Sequence, residues 1–191
     1  MIPLITYTPR LTLIAASRAL LIAETAKPHY FPVLLGAQLP QNWPPPEYDT
    51  EVQQHFLEQL TAGGREAAGW YGWYALLRAG AETPTNTLIG TGGFHGPPVD
   101  DTAELGFAVA TDWQGQGLGT ELVAGLVRHA ADTDLVRYLT ARIAPANVPA
   151  RRALEANGFH QISEAPDTEG RHLFGRNVTE ADKNEVKEKK A

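Results

Sequence analysis

Between Glu104 and Thr120 the chain reads Glu-Leu-Gly-Phe-Ala-Val-Ala-Thr-Asp-Trp-Gln-Gly-Gln-Gly-Leu-Gly-Thr, and its hydrophobic period changes part-way along. Leu105, Phe107 and Val109 alternate with Glu104, Gly106 and Ala108, the pattern of a strand with two different faces. Beyond the glycines, Leu118, Leu122, Val123, Leu126, Val127 and Ala130 recur at helical spacing. A strand therefore passes through a glycine turn into an amphipathic helix. The first N–H groups of such a helix have no intrahelical partner, the dipole there is positive, and glycine lets backbone approach an anion closely. On spacing alone the turn suits any phosphorylated ligand, or is simply a loop. The Gly-x-Gly-x-x-Gly order of dinucleotide folds is absent, and no Gly-Lys-Ser/Thr follows, so neither a Rossmann fingerprint nor a P-loop is matched.

The flanking sequence supplies elements of both kinds. Arg10 to Ala16 alternates as a strand, Ser17 caps a helix running to about Ala26, and Pro28 to Gln38 forms a second short helix. The prolines of Leu39 to Pro46 make a stiff connector, with Trp43 plugged into the body. Thr50 with Gln53 signals a capping box for a helix from Glu51 to Leu60, which Gly63 and Gly64 stop. Trp70 to Arg78 and Thr87 to Phe94 read as a hairpin, and Val136 to Ile143 as a further strand. Asn147 and Pro149 open a helix that Asn157-Gly158 closes, and Phe159 to Ala165 with His172 to Val178 make a last hairpin. Thr179 to Ala191 is charged and poor in large apolar residues, so it is a solvated helical extension or a disordered tail.

Composition removes several classes of function. At 191 residues the chain suits a single domain, 1–178, followed by the 179–191 tail. No apolar run approaches the ~20 residues of a membrane span, and Met1 to Arg10 lacks the pattern of a secretory signal, so no membrane is expected and the cytoplasm is the expected location. There are no cysteines, hence no disulfides, thiolate metal sites or cysteine nucleophiles. A net charge of -6 argues against nucleic acid as a partner. Lys27 is the only lysine before Lys183, which disfavours Schiff-base chemistry, and Ser17 and Ser163 are the only serines, neither in a nucleophile turn. The six histidines show no ligand spacing, so no metal is expected.

The turn Gln114-Gly115-Gln116-Gly117-Leu118-Gly119 resembles the coenzyme A motif of the GNAT N-acetyltransferase superfamily, Gln/Arg-x-x-Gly-x-Gly/Ala. The resemblance extends to Leu88-Ile89-Gly90, to Glu104-Leu105-Gly106-Phe107, and to Asn147 leading through Glu155 to Asn157-Gly158-Phe159. Thr8 to Leu13 is similar to the start of the branch containing ribosomal-protein N-terminal acetyltransferases. The resemblance implies the GNAT fold, an α/β (α+β) architecture with a central mixed, mostly antiparallel sheet of about seven strands flanked by four or five helices. It implies acetyl-CoA as cosubstrate, without a metal. The backbone of Phe107, Ala108 and Val109 would pair with the pantetheine arm, splayed from its neighbour by a bulge. Amides of Gln114, Gly115, Gln116, Gly117, Leu118, Gly119 and Thr120 would hold the diphosphate. Asn147 would sit near the pantetheine or serve as a helix N-cap, and the two roles are compatible.

Acetyl transfer to an amine needs a neutral nucleophile, a polarised carbonyl and a protonated leaving thiolate. Glu104, on the cofactor strand, is the candidate base or else a strand-end carboxylate; His95 is a second candidate. A strand N–H near Ala108 or Val109 could meet the oxyanion. The position where many GNAT enzymes carry a tyrosine acid is Leu154, which leaves Tyr138 as another tyrosine to consider, and Ala150 replaces a serine frequent in the resembling branch. The acceptor would enter between the early helices and the hairpin ends, near Trp43, Trp70, Tyr71, Trp73 and Tyr74. An acidic body favours a cationic acceptor, a small-molecule amine or a peptide N-terminus, bound by a monomer or homodimer. A non-catalytic acyl-CoA sensor or assembly domain is the alternative from another class, and an unrelated phosphate-binding α/β module is a third.

Overall fold

β-Branched and aromatic runs separated by glycine, proline and asparagine give the described residues eight strands, and they assemble into one sheet. The structure is a computed structural model that describes residues 2–80 and 83–183. In chain order it comprises β1 (Ile5–Tyr7), β2 (Leu11–Ala15), α1 (Arg18–Ala26), α2 (Phe31–Leu35), α3 (Thr50–Ala67), β3 (Gly72–Leu77), β4 (Thr87–Phe94), β5 (Thr102–Val109), α4 (Leu118–Asp132), β6 (Tyr138–Ile143), α5 (Val148–Ala156), β7 (His160–Gln161) and β8 (His172–Asn177). The sheet order is β1-β2-β3-β4-β5-β6-β8-β7. Every neighbouring pair is antiparallel except β5 and β6, which run parallel. The GNAT-type mixed sheet is thus present, with one strand beyond the expected seven. The addition is β1, three residues long and too short to show a period in the sequence.

Ser17 caps α1 as expected, its hydroxyl accepting from the Leu20 N–H at 3.2 Å. The cap of α3 falls one residue earlier than Thr50: the Asp49 carboxylate accepts from the Val52 N–H at 3.0 Å, a stronger acceptor at a positive helix end than a hydroxyl. Gly64, at φ 56° and ψ -130°, breaks α3 as predicted, but the helix resumes for a further turn up to Ala67. All six residues predicted for the inner face of α4 are buried. α4 covers one face of the sheet, touching β1, β2, β4 and β5, while α1 and α3 pack together on the other.

Trp70, Trp73 and Tyr74 are each about 1% exposed and belong to the core rather than to an acceptor wall. Trp43 is plugged into the body, and its indole N–H donates to Glu24 at 2.7 Å. Tyr48 and Tyr74 donate to the same carboxylate at 2.9 and 2.6 Å. Burial pushes the Glu24 carboxyl up, against the pull of those three donors. At the C-terminal end, Asp182 pairs with Arg176 at 2.7 Å and closes a capping box with Thr179. The remainder of the expected tail, 184–191, lies outside the described residues.

Candidate active site

β5 and β6 pair only at Thr102↔Tyr138, Ala103↔Leu139 and Glu104↔Thr140. Beyond Glu104 each strand keeps its other partner: β5 follows β4 to Val109, and β6 follows β8 to Ile143. The sheet therefore opens into a V whose apex is at Glu104. Hydrogen-bond alternation decides which β5 peptides face the gap. His95 N–H donates to Glu104 O and Ala110 N–H to Ile89 O, so the even-numbered residues of β5 turn their peptide groups to β4. Phe107 and Val109 turn theirs into the V, and the Val109 carbonyl accepts from Gln114 Nε2 at 2.9 Å. Ala108, expected to offer an N–H to ligand, instead bonds to Thr91 of β4 and presents its methyl group to the cleft. The splay also needs no bulge in β5, whose register with β4 is unbroken; the irregularity lies on the far side of β4, opposite Ala75 and Leu76.

At the mouth of the V the chain enters a single turn of 3-10 helix, Thr111–Trp113, and then the glycine turn. Gly115 (φ 74°) and Gly117 (φ 76°) occupy the left-handed region, where a Cβ is strained. Among the described residues the N–H groups of Gly115 through Thr120 have no hydrogen-bond acceptor, and the α4 ladder starts with Glu121 N–H to Gly117 O at 3.1 Å. Six consecutive amides at a helix N-terminus fit a diphosphate. The turn is fastened from the side. Glu121 accepts from the Thr8 hydroxyl (2.6 Å), the Arg10 amide (2.6 Å) and Arg10 Nε (2.7 Å), while Arg10 Nη1 donates to Gln116 O at 3.1 Å. Burial works to raise the Glu121 carboxyl, but the Thr8 and Arg10 donors outweigh it and hold it below the usual carboxylate range. The Thr8-Pro9-Arg10 stretch thus braces the turn, a long-range role that no local spacing reveals.

Behind the V lies an open cleft of about 800 Å³. Glu47, Asp49, Glu51 and His55 form its wall at the start of α3; Thr91, Gly93, Gly106 and Ala108 form its floor; Arg142, Asn147 and Ala150 face them from β6 and α5. Asn147 is the α5 N-cap, accepting from the Ala150 N–H at 3.2 Å, and it borders the cleft. His95 and Arg142 line the cavity. Glu104 stands behind them, its side chain 20% exposed, with Oε2 hydrogen-bonded to Arg142 Nη1 and Oε1 3.4 Å from His95 Nδ1. Arg142 Nε lies 3.5 Å from Asp167 Oδ2, which Arg171 also reaches at 3.3 Å. The hydrogen bond and charge of Glu104 raise the Arg142 guanidinium further above its already high value.

The structure brings Glu104 and His95 together but not Tyr138, whose hydroxyl lies over Gly175 of β8, away from the residues lining the cleft. Leu154 is fully buried, so α5 presents no acidic group there. Arg142 was missed by sequence reasoning. Its signal was a lone charge in the apolar strand Tyr-Leu-Thr-Ala-Arg-Ile, two residues beyond Thr140, which pairs with Glu104.

Residues 21–160 match the family model described as the acetyltransferase (GNAT) domain, and the chain belongs to that family. The fold recurs in solved structures of low identity. RimL, a ribosomal-protein alpha-N acetyltransferase in complex with coenzyme A, is 19% identical with a TM-score of 0.62, the match covering 93% of this chain and 97% of that one. The ribosomal-protein-S5-alanine acetyltransferase of Vibrio fischeri is 14% identical with a TM-score of 0.61, covering 93% and 98%. The microcin C7 self-immunity acetyltransferase MccE, in complex with acetyl-CoA and AMP, is 15% identical with a TM-score of 0.57, covering 90% and 94%. A search of curated proteins finds no match.

Proposed function

We propose that residues 1–178 form one acetyltransferase domain that moves acetyl from acetyl-CoA to a primary amine, of a small molecule or of a protein N-terminus. The observation that carries this reading is the continuous track from the open amides of 115–120, past the peptides of Val109 and Phe107 that face the gap, to the Glu104–His95 pair at the apex. The five residue steps from Val109 to Glu104 span roughly 17 Å of strand, room for an extended pantetheine arm. The turn amides would hold the diphosphate, the β5 edge and Asn147 the pantetheine, and the thioester would supply the activated acetyl group. Val109 N–H or Phe107 N–H is the donor for the developing oxyanion. Glu47, Asp49 and Glu51 on the opposite wall give the entrance a negative field, which draws a cationic amine.

The test is thiol release from acetyl-CoA in the presence of a panel of amines and peptides. Because the chain has no cysteine, a thiol reagent reads only product. Turnover with cationic amines supports the proposal. Binding of acetyl-CoA with no turnover on any acceptor would instead favour a sensing or assembly role, and absence of binding at millimolar cofactor would overturn the assignment.

A further inference from the structure

Resting on that reading, we propose that His95, and not Glu104, is the group that takes the proton from the acceptor ammonium, with Glu104 and Arg142 acting as the pair that positions it. Three observations carry this. First, His95 lines the cleft with its side chain 60% exposed, whereas Glu104 stands behind it and does not line the cavity. An acceptor in the cleft meets the imidazole before the carboxylate. Second, one oxygen of Glu104 is already hydrogen-bonded to the Arg142 guanidinium. That oxygen is already engaged with a donor and is not free to take an ammonium proton. Imidazole is the side chain most often used as a general base. Third, the remaining carboxylate oxygen lies 3.4 Å from Nδ1 of His95. A carboxylate on that side favours the tautomer with its proton on Nδ1 and leaves the Nε2 lone pair for the cleft. Contacts of this kind commonly tighten once substrate is in place.

Arg142 is the positioning residue that makes the arrangement specific. Its Nη1 fixes the carboxylate, and its Nε lies 3.5 Å from Asp167, which Arg171 also holds. The guanidinium therefore ties the base to the loop between β7 and β8, and that loop places Arg171 on the cleft. The charged groups facing His95 across the cleft are Glu47, Asp49, Glu51 and His55 from the α3 side, Arg142 from β6 and Arg171 from the loop. The proton balance is complete without another reactant. The ammonium gives one proton to His95 Nε2; the neutral nitrogen forms the new C–N bond as the thioester C–S bond breaks; the nitrogen's surplus proton ends on the departing thiolate. His95 then returns its proton to solvent.

The experiment pairs a structural and a kinetic measurement. ¹⁵N NMR of the histidine-labelled protein, without any ligand, reads the His95 tautomer. Protonated Nδ1 in the wild type, lost in Glu104→Gln, is the expected result; an Nε2–H tautomer in the wild type would overturn the proposal. With acetyl-CoA and a turned-over amine, His95→Gln is expected to lower kcat by about 100-fold or more and to abolish the acid limb of the pH–kcat profile. Glu104→Gln and Arg142→Gln are expected to lower kcat by about tenfold, to retain that limb displaced along the pH axis, and to leave the KM for acetyl-CoA unchanged. Arg142→Lys is expected to recover part of the loss. A Glu104→Gln variant that is dead while His95→Gln stays within threefold of wild type would refute the assignment. Should the wild type turn over no amine at all, the proposed acetyl transfer fails, and the tautomer measurement still decides the geometry of the pair.

Discussion

His129 is a buried titratable group in the α4 interface, and acidification should reveal what its burial costs. The residue is fully buried, packed against Trp73 (ring centroids 4.4 Å apart), Trp70 and Phe94 (both 5.7 Å). Neither ring nitrogen has a hydrogen-bond partner among the described residues. The nearby Gly69 carbonyl accepts instead from Trp73 Nε1 at 3.0 Å. Burial pushes the imidazole down to about 4, an effect that the Gly69 carbonyl and the charge of Asp132 only partly offset. An unfolded histidine titrates near ~6.5. Between those values the unfolded chain binds a proton that the folded one refuses, so stability rises with pH there by about 1.4 kcal/mol per unit. The contribution is intact above pH ~6.5 and falls by about 3 kcal/mol in all as pH drops through the folded value. Glu24 runs the other way, since its raised carboxyl favours the fold below its folded value. Glu121, held low, adds loss only below the ordinary carboxylate range. The assay is therefore a difference: urea unfolding of wild type and His129→Leu at intervals from pH 7.5 to 4.0. The wild type should lose about 3 kcal/mol more than the variant across that range. Parallel curves, agreeing within about 0.5 kcal/mol at every pH, would refute the reasoning.

Two further outcomes follow from the site and its scaffold. Gly117→Ala forces a Cβ into the left-handed region at a cost of about 1–2 kcal/mol, so acetyl-CoA affinity measured by calorimetry should fall about tenfold, whereas Gly119→Ala, whose new methyl would meet Val109 at 3.5 Å, should bind as wild type does. Glu24→Ala strands three donors, the buried Tyr48 and Tyr74 and the partly buried Trp43, and should lower the unfolding free energy by about 3 kcal/mol or more, with a shift in Trp43 fluorescence; unchanged urea midpoints would show that the cluster is not structural.

What was legible in the sequence was what local physics fixes. The face of α4 follows from its period, the α5 boundaries from Asn147, Pro149 and Asn157-Gly158, and the glycine turn from residues that tolerate positive φ. The cap of α3 was displaced by one residue because Asp49 and Thr50 are both competent caps, and the backbone's approach decides between them. Trp70, Trp73 and Tyr74 read as core or as acceptor wall alike, because aromatic residues carry no label that separates the two, and the structure places them in the core. Arg142 left a trace as a lone charge in an apolar strand, but its pairing with Glu104 was not legible. It depends on β5 and β6 lying side by side through a parallel pairing of only three residues, joined by 28 residues of chain between Val109 and Tyr138. The same holds for Ala108: whether a strand N–H faces a ligand or the next strand is a matter of register, and register is set by β4.

β4 also explains why the glycine turn lies where it does. Its sequence Thr-Leu-Ile-Gly-Thr-Gly-Gly-Phe is poor in side chains on one face, and each glycine answers a close approach. A Cβ on Gly92 would fall 2.9 Å from both Leu122 and Leu126 of α4, and one on Gly90 would fall 2.5 Å from Ala108 O. The helix is therefore able to sit directly on the β4 backbone, and Leu13 packs against it from β2 in the same way, 2.8 Å from the position of a Cβ on Gly125. Glycine within a strand ordinarily weakens it. Here that cost is offset by seating α4 low and tight, which fixes its N-terminus beside the end of β5. The open amides of 115–120 and the gap-facing peptides of Phe107 and Val109 are then parts of one continuous surface, because the same helix that begins at the first packs against the strand that carries the second. A run of open amides set beside a strand edge in this way is a consequence of helix height as much as of the glycine motif that marks it.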